Sequence, residues 1–175
     1  MLVLTGFMGS GKTTTARALA ELLGWEFVDL DEQIERDEHA SIRQLFRERG
    51  EPAFRSIEHD ALRRCIAQTS GATVLALGGG AYAQAENVEL LRAGGARTVF
   101  LETPIEEMLT RCGIDDVPDP ENPRPLAADT AAFRKLYEQR LPSYRAAELT
   151  VLTTGKTAEA IARVIAEQLG FITGR

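Results

Sequence analysis

Three clusters of side chains in this chain have types and spacings suited to moving a phosphoryl group. The first is Gly6-Phe7-Met8-Gly9-Ser10-Gly11-Lys12-Thr13, a G-x-x-x-x-G-K-[ST] pattern. Its glycines let consecutive backbone N–H groups curl round phosphate oxygens, and the helix that follows points its positive end at the same anion. Gly9, Ser10, Gly11, Lys12, Thr13 and Thr14 are therefore expected to cradle a nucleotide, with Lys12 reaching the β and γ phosphates and the Thr13 hydroxyl placed to ligand Mg²⁺. The second is Asp29-Leu30-Asp31, two carboxylates at i and i+2. At the end of a strand they would share a side, one near the metal's water shell and one accepting a hydroxyl proton. The third is Arg55 with Glu58, at i and i+3 and so adjacent on a helix, a pairing also common on plain helical surfaces. Gly78-Gly79-Gly80 adds a turn where backbone can approach a ligand closely.

These residues need a scaffold that brings them to one edge. Met1–Thr5 is a short apolar run before the glycine loop, and Ala16, Leu19, Ala20, Leu22 and Leu23 recur at helical spacing, giving a helix over about 12–23 that Gly24 stops. Trp25–Asp31 reads as a second strand. A charged helical stretch from Glu32 to Arg49 follows, with Ser41 as a cap for a second piece, and Gly50-Glu51-Pro52 breaks it. A further helix is expected over about 53–69. Thr73–Leu77 is continuously apolar, which suits a strand buried on both faces. Helices over about 86–93, 104–112, 131–141 and 158–169 then alternate with strands 98–101 and 149–152. Strands separated by helices predict an α/β fold, a single three-layer α/β/α domain around a parallel sheet of five strands, with ligands gathered beyond the strands' carboxyl ends.

Composition narrows the class. The 175 residues are 44% hydrophobic, enough for one compact core. A formal charge of −6 with lysines and arginines interleaved among acids excludes a surface built for nucleic acid. An anionic ligand must then be met by locally placed cations. Cys65 and Cys112 have no metal-type spacing and read as free thiols of a reducing cytoplasm. No apolar stretch approaches the ~20 residues of a membrane span, and Gly6 interrupts the N-terminal run too early for a secretory signal, so a soluble, unprocessed chain is expected. His39 and His59 lie on charged helical faces and are expected at the surface.

Gly113–Pro125 holds four of the seven prolines and several acids before Arg124. Too polar for a core, it is expected to form a closing lid.

Taken together, Gly6–Thr13, Asp29-Leu30-Asp31, Phe54-Arg55-Ser56-Ile57-Glu58, Gly78-Gly79-Gly80 and Arg124-Pro125-Leu126 resemble shikimate kinase, in order and approximate spacing from end to end. The resemblance implies a P-loop fold and ATP-dependent phosphorylation of the 3-hydroxyl of shikimate in aromatic amino acid biosynthesis, by a monomer using MgATP. It assigns Asp31 to the substrate hydroxyls and the base role, Asp29 to the magnesium shell, and Arg55, oriented by Glu58, to the substrate carboxylate. It implies backbone contacts from Gly79 and Gly80, an apolar wall from Phe46 and Phe54, a second carboxylate-binding arginine in Arg140, and Arg124 on the transferring phosphoryl group. Arg111 matches a residue that stacks on adenine. The substrate-binding segment would span about 32–69 and the lid about 112–126. A longer, more acidic lid and Thr153-Thr154-Gly155-Lys156 in place of an Arg-Pro or Asn-Pro turn depart from the family pattern. Rival expectations are another small-metabolite kinase, such as one for gluconate, a nucleoside monophosphate kinase, or a silent nucleotide-binding module. The carboxylate arginines disfavour the second, and a base aimed at an acceptor disfavours the last.

Overall fold

A computed structural model describes residues 1–69, 72–114 and 130–172. Arg124 and nearly all of the expected lid lie outside the described residues. Five strands form one parallel sheet: β1 (Leu2–Thr5), β2 (Glu26–Asp29), β3 (Thr73–Ala76), β4 (Arg97–Glu102) and β5 (Leu149–Leu152), in the order β2-β3-β1-β4-β5. Register is set by Leu2 opposite both Val74 and Arg97, Phe27 opposite Val74, and Leu101 opposite Val151.

The central strands are apolar without alternation because both faces are covered. Leu2, Leu4, Val74, Ala76, Val99 and Leu101 pack with α1 (Lys12–Leu23) and α7 (Ala158–Gln168) on one side. Val3, Leu75 and Phe100 face the other way, into a core shared with the remaining long helices. Successive residues of a strand point to opposite faces, so an uninterrupted apolar run is what a sheet between two helical layers requires. This is the expected three-layer architecture, and its two cores leave the strands' carboxyl ends as the open edge.

Two local departures from expectation shape that edge. The second strand is shorter than Trp25–Asp31: it ends at Asp29, whose Oδ1 accepts from the N–H of Asp31 at 3.0 Å and of Glu32 at 3.2 Å, capping α2 (Leu30–Glu38). The cap starts the helix two residues early, because an aspartate that satisfies orphan N–H groups favours helix over further strand. The aspartates therefore converge across a strand–helix junction rather than along one strand face. α6 (Thr130–Tyr144) also runs three residues beyond its expected end, carrying Pro142 inside its last turn.

Helix α2 stops at His39, which adopts a left-handed conformation with φ 52°. Ser41 then opens α3 (Ile42–Gln68) with a capping box, its hydroxyl accepting from the Gln44 N–H while the Gln44 side chain accepts from the Ser41 N–H. Gly50, at φ 78° and ψ 169°, breaks α3 into two pieces, and Pro52 sits in the first turn of the second, where its missing N–H costs nothing. That break aims the second piece, with Arg55 and Glu58, at the sheet edge. His39 is exposed as expected; His59 is half-buried, its Nδ1 2.8 Å from Asn87 Oδ1. A short 3₁₀ turn (Ala81–Ala83), α4 (Ala85–Ala93) and α5 (Ile105–Cys112) complete the described elements.

Candidate active site

The loop between β1 and α1 is shaped by glycines at positive φ: Gly6 at 148°, Gly9 at 77° and Gly11 at 86°. A Cβ on Gly9 would stand 2.9 Å from both Cys112 Sγ and Met108 O, so the loop lies directly against α5. Arg111, expected near adenine, is exposed and donates from Nη1 to Gly9 O at 3.2 Å and from Nη2 to Glu107. Lys12 donates from Nζ to Phe7 O at 3.0 Å. Its burial pulls the ammonium down to about 8, against the opposing pull of the Asp31 and Asp29 charges. Thr14 is exposed at the mouth of the loop, and the Ser10 side chain is buried beneath it.

Thr13 Oγ1 donates to Asp29 Oδ2 at 2.7 Å. Asp29 thus joins the phosphate loop to the cap of α2. A hydroxyl and a carboxylate side by side are suited to Mg²⁺, which keeps several waters and takes its other oxygens from substrate phosphates rather than from a full protein cage. No group of three or more His, Cys, Asp or Glu among the described residues could hold a metal ion.

Asp31 lies two residues further on, half-buried. Its carboxyl is raised to about 6, chiefly by burial, then by the neighbouring charges of Asp29 and Glu58, with Lys12 pulling the other way. A Cβ on Gly78 would stand 2.5 Å from Asp31 Oδ1 and 3.2 Å from Glu58 Oε1, so both carboxylates close on the same glycine. Gly79 rests on the phosphate loop, its Cβ position 3.4 Å from the Met8 nitrogen. Gly80 faces Arg55, with 2.5 Å between its Cβ position and Nη2. The triple glycine therefore meets the glycine loop on one side and Asp31, Glu58 and Arg55 on the other, and a Cβ at its first or third position would displace Asp31 or Arg55.

Arg55 donates from Nη1 to Glu58 at 2.8 Å and from Nη2 to Glu51 at 3.0 Å. Glu58 is 1% exposed, and burial raises its carboxyl while Arg55 and Arg140 oppose the rise. The pair is thus largely withdrawn from solvent, unlike the exposed i, i+3 pairs its spacing also fits. Phe46 and Phe54, 4.3 Å apart by ring centroids, form one apolar wall, with the Arg55 guanidinium 5.7 and 5.4 Å from their centres. Arg140 arrives from α6, donating to Gly79 O at 3.2 Å and lying 5.8 Å from the Phe7 ring.

All the expected site residues that are described converge on this edge. Three contributors were missed. Glu51 shares Arg55 with Glu58. Tyr144, fully buried, donates its hydroxyl to Gly79 O alongside Arg140; its spacing of four from Arg140 places both on one helix face, the signal that was there to find. Thr103 donates to Ser10 O at 3.3 Å and lies 2.8 Å from the Thr153 hydroxyl, tying the departing Thr153–Lys156 turn to the phosphate loop.

A glycine-rich loop leading into α1 at the open edge of this parallel sheet, with carboxylates and arginines gathered across from it, is the arrangement of a P-loop kinase. The family model described as shikimate kinase matches residues 8–170, and the chain belongs to that family. It is 42% identical to the shikimate kinase of Salinispora tropica, over 95% of this chain and 96% of that one, and 40% identical to that of Moorella thermoacetica, over 96% and 93%. The solved shikimate kinase from Acinetobacter baumannii in complex with shikimate superposes with a TM-score of 0.85 at 37% identity, covering 99% of this chain and 94% of that one.

Proposed function

We propose that this protein transfers the γ-phosphoryl group of ATP to the 3-hydroxyl of shikimate, giving shikimate 3-phosphate and ADP, in the pathway to aromatic amino acids. The observation that carries this reading is the meeting of two arginines, Arg55 and Arg140, on consecutive residues of one glycine turn, beside the half-buried Asp31. A ring bearing a carboxylate and hydroxyls has its acid met by guanidinium groups, its apolar face by Phe46 and Phe54, and its hydroxyl by a base.

The residues divide the work as follows. Gly9 to Thr14 hold the phosphates through backbone N–H groups, and Lys12 spans the β and γ positions. Thr13 and Asp29 would hold Mg²⁺, which would supply positive charge against the nucleotide's phosphates. Arg55, braced by Glu58, and Arg140 fix the acceptor's carboxylate so that its hydroxyl lies near Asp31. Asp31, raised to about 6, is mostly ionised at pH 7 yet close enough in basicity to accept a proton. As the acceptor oxygen forms its bond to Pγ, its proton passes to Asp31 and the bond from Pγ to the β,γ-bridging oxygen breaks, with ADP carrying that oxygen away. Arg124 is assigned to the transferring phosphoryl group from its Arg-Pro-Leu motif, and Arg111 to the adenine side. Residues 32–69 are the acceptor-binding segment and 112–126 the lid. The enzyme is a cytoplasmic monomer on this reading.

The test is ADP release with ATP, Mg²⁺ and, in parallel, shikimate, gluconate or a nucleoside monophosphate. Stimulation by shikimate alone is expected, and its loss on chelation of the metal. Absence of shikimate-dependent turnover would refute the assignment.

A further inference from the structure

Gly79 O accepts two hydrogen bonds from one helix face, from Arg140 Nη1 at 3.2 Å and from the Tyr144 hydroxyl. The Gly79–Gly80 peptide bond is trans, so the Gly80 N–H points opposite to the Gly79 carbonyl it shares a plane with. Among the described residues that N–H meets no acceptor, whereas the next one, of Ala81, is closed on Gly78 O at 3.2 Å. Gly80 also faces the Arg55 guanidinium. Whatever holds the Gly79 carbonyl therefore sets where a free N–H is aimed within the acceptor pocket.

Of the two donors, Tyr144 is the fixed one. Its ring is fully buried and stacked on Phe100 of β4, with centroids 5.4 Å apart and planes 22° apart. Burial leaves the hydroxyl without water as an alternative partner and pushes its ionisation up to about 12, so it stays a donor across the working pH range. Arg140 is half-buried on a flexible stem and has other N–H groups to offer a carboxylate. With Tyr144 satisfying the carbonyl, Arg140 can turn toward an anion without orphaning a buried acceptor.

We propose that Tyr144 is a positioning residue of the acceptor site: its hydroxyl pins the Gly79 carbonyl, thereby aiming the Gly80 N–H and freeing Arg140 for the substrate's carboxylate. This rests on the shikimate reading above. Tyr144→Phe keeps the ring and its stacking and removes only the O–H. The expected result is a KM for shikimate raised about three- to tenfold, the scale of one buried hydrogen bond, with the KM for ATP within about 1.5-fold and the melting temperature little changed. Phe100→Leu, which removes the ring's stacking partner and keeps the hydroxyl, is expected to lower the melting temperature without that selective rise. In the double variant Tyr144→Phe with Arg140→Ala, the total loss should be smaller than the sum of the two single losses, because the part of Tyr144's effect exerted by releasing Arg140 is already gone once Arg140 is removed. A wild-type enzyme inactive with shikimate would overturn the functional reading itself. An active wild type whose Tyr144→Phe variant has an unchanged shikimate KM, or loses affinity for both substrates in parallel with stability, or couples additively with Arg140→Ala, overturns the positioning role alone.

Discussion

Asp31→Asn should make the protein more stable while removing its activity. The side chain keeps its shape, and the carboxylate is lost from a site that resists charge: burial and the charges of Asp29 and Glu58 raise Asp31 from its ordinary 3.8 to about 6. At about 1.4 kcal/mol per pKa unit, holding that carboxylate ionised costs the native state on the order of 3 kcal/mol at neutral pH. Because the folded-state pKa is raised, the stability linked to this group is fully present below about 3.8 and is lost as pH climbs through about 6. The asparagine variant lacks that dependence, so its advantage should grow between pH 5 and pH 7.5 by roughly 1.4 kcal/mol. In a chain of this size each kcal/mol moves the melting temperature by about 2–4 °C. Thermal melts at the two pH values read the stability arm, and a coupled ADP assay reads turnover, which should fall by at least ~10²-fold with ATP affinity kept within about threefold. A variant that melts lower than wild type at pH 7.5, or that turns over at an undiminished rate, refutes the reasoning.

Three further outcomes follow from the same geometry. The logarithm of kcat for the wild type should rise with pH and level off above about 6, tracking ionisation of Asp31; a profile flat from pH 5 to 8 removes the base. Arg55→Ala should raise the shikimate KM by about tenfold or more and leave that for ATP nearly unchanged, the mark of a lost charge-assisted contact. It also strands Glu58, buried at 1% exposure, so the variant should melt lower, and Arg55→Ala with Glu58→Gln should recover part of that loss. Gly78→Ala places a methyl 2.5 Å from Asp31 Oδ1, which must swing away, so kcat should drop more than either KM rises; an alanine variant of normal kcat places the base elsewhere.

Much of the fold is legible in local pattern. Continuous apolar runs at Leu2–Thr5 and Thr73–Ala76 require a sheet covered on both faces, and helices between strands require parallel pairing, because a crossover must return the chain to the same edge. The phosphate loop is legible for the same reason: its glycines and its lysine act through backbone geometry that neighbouring residues determine.

What the chain order could not supply is the identity of neighbours distant in sequence. Asp29 and Asp31 were readable as a pair, but their junction depends on Asp29 capping a helix and accepting from Thr13, sixteen residues earlier. The i, i+3 spacing of Arg55 and Glu58 is the same on any helical surface; only packing beneath Gly78 and Gly80 buries Glu58 and takes the pair out of solvent. Tyr144 gains its partner only where the fold carries Gly79 to its hydroxyl across sixty-five positions. Side-chain types and local spacing determined which chemistry was available, since they are properties of the chain itself. Tertiary structure decided burial, and burial set the basicity of Asp31, the force of the Arg55–Glu58 pair and the aim of the glycine turn, because the cost of a charge or an unpaired polar group depends on what surrounds it.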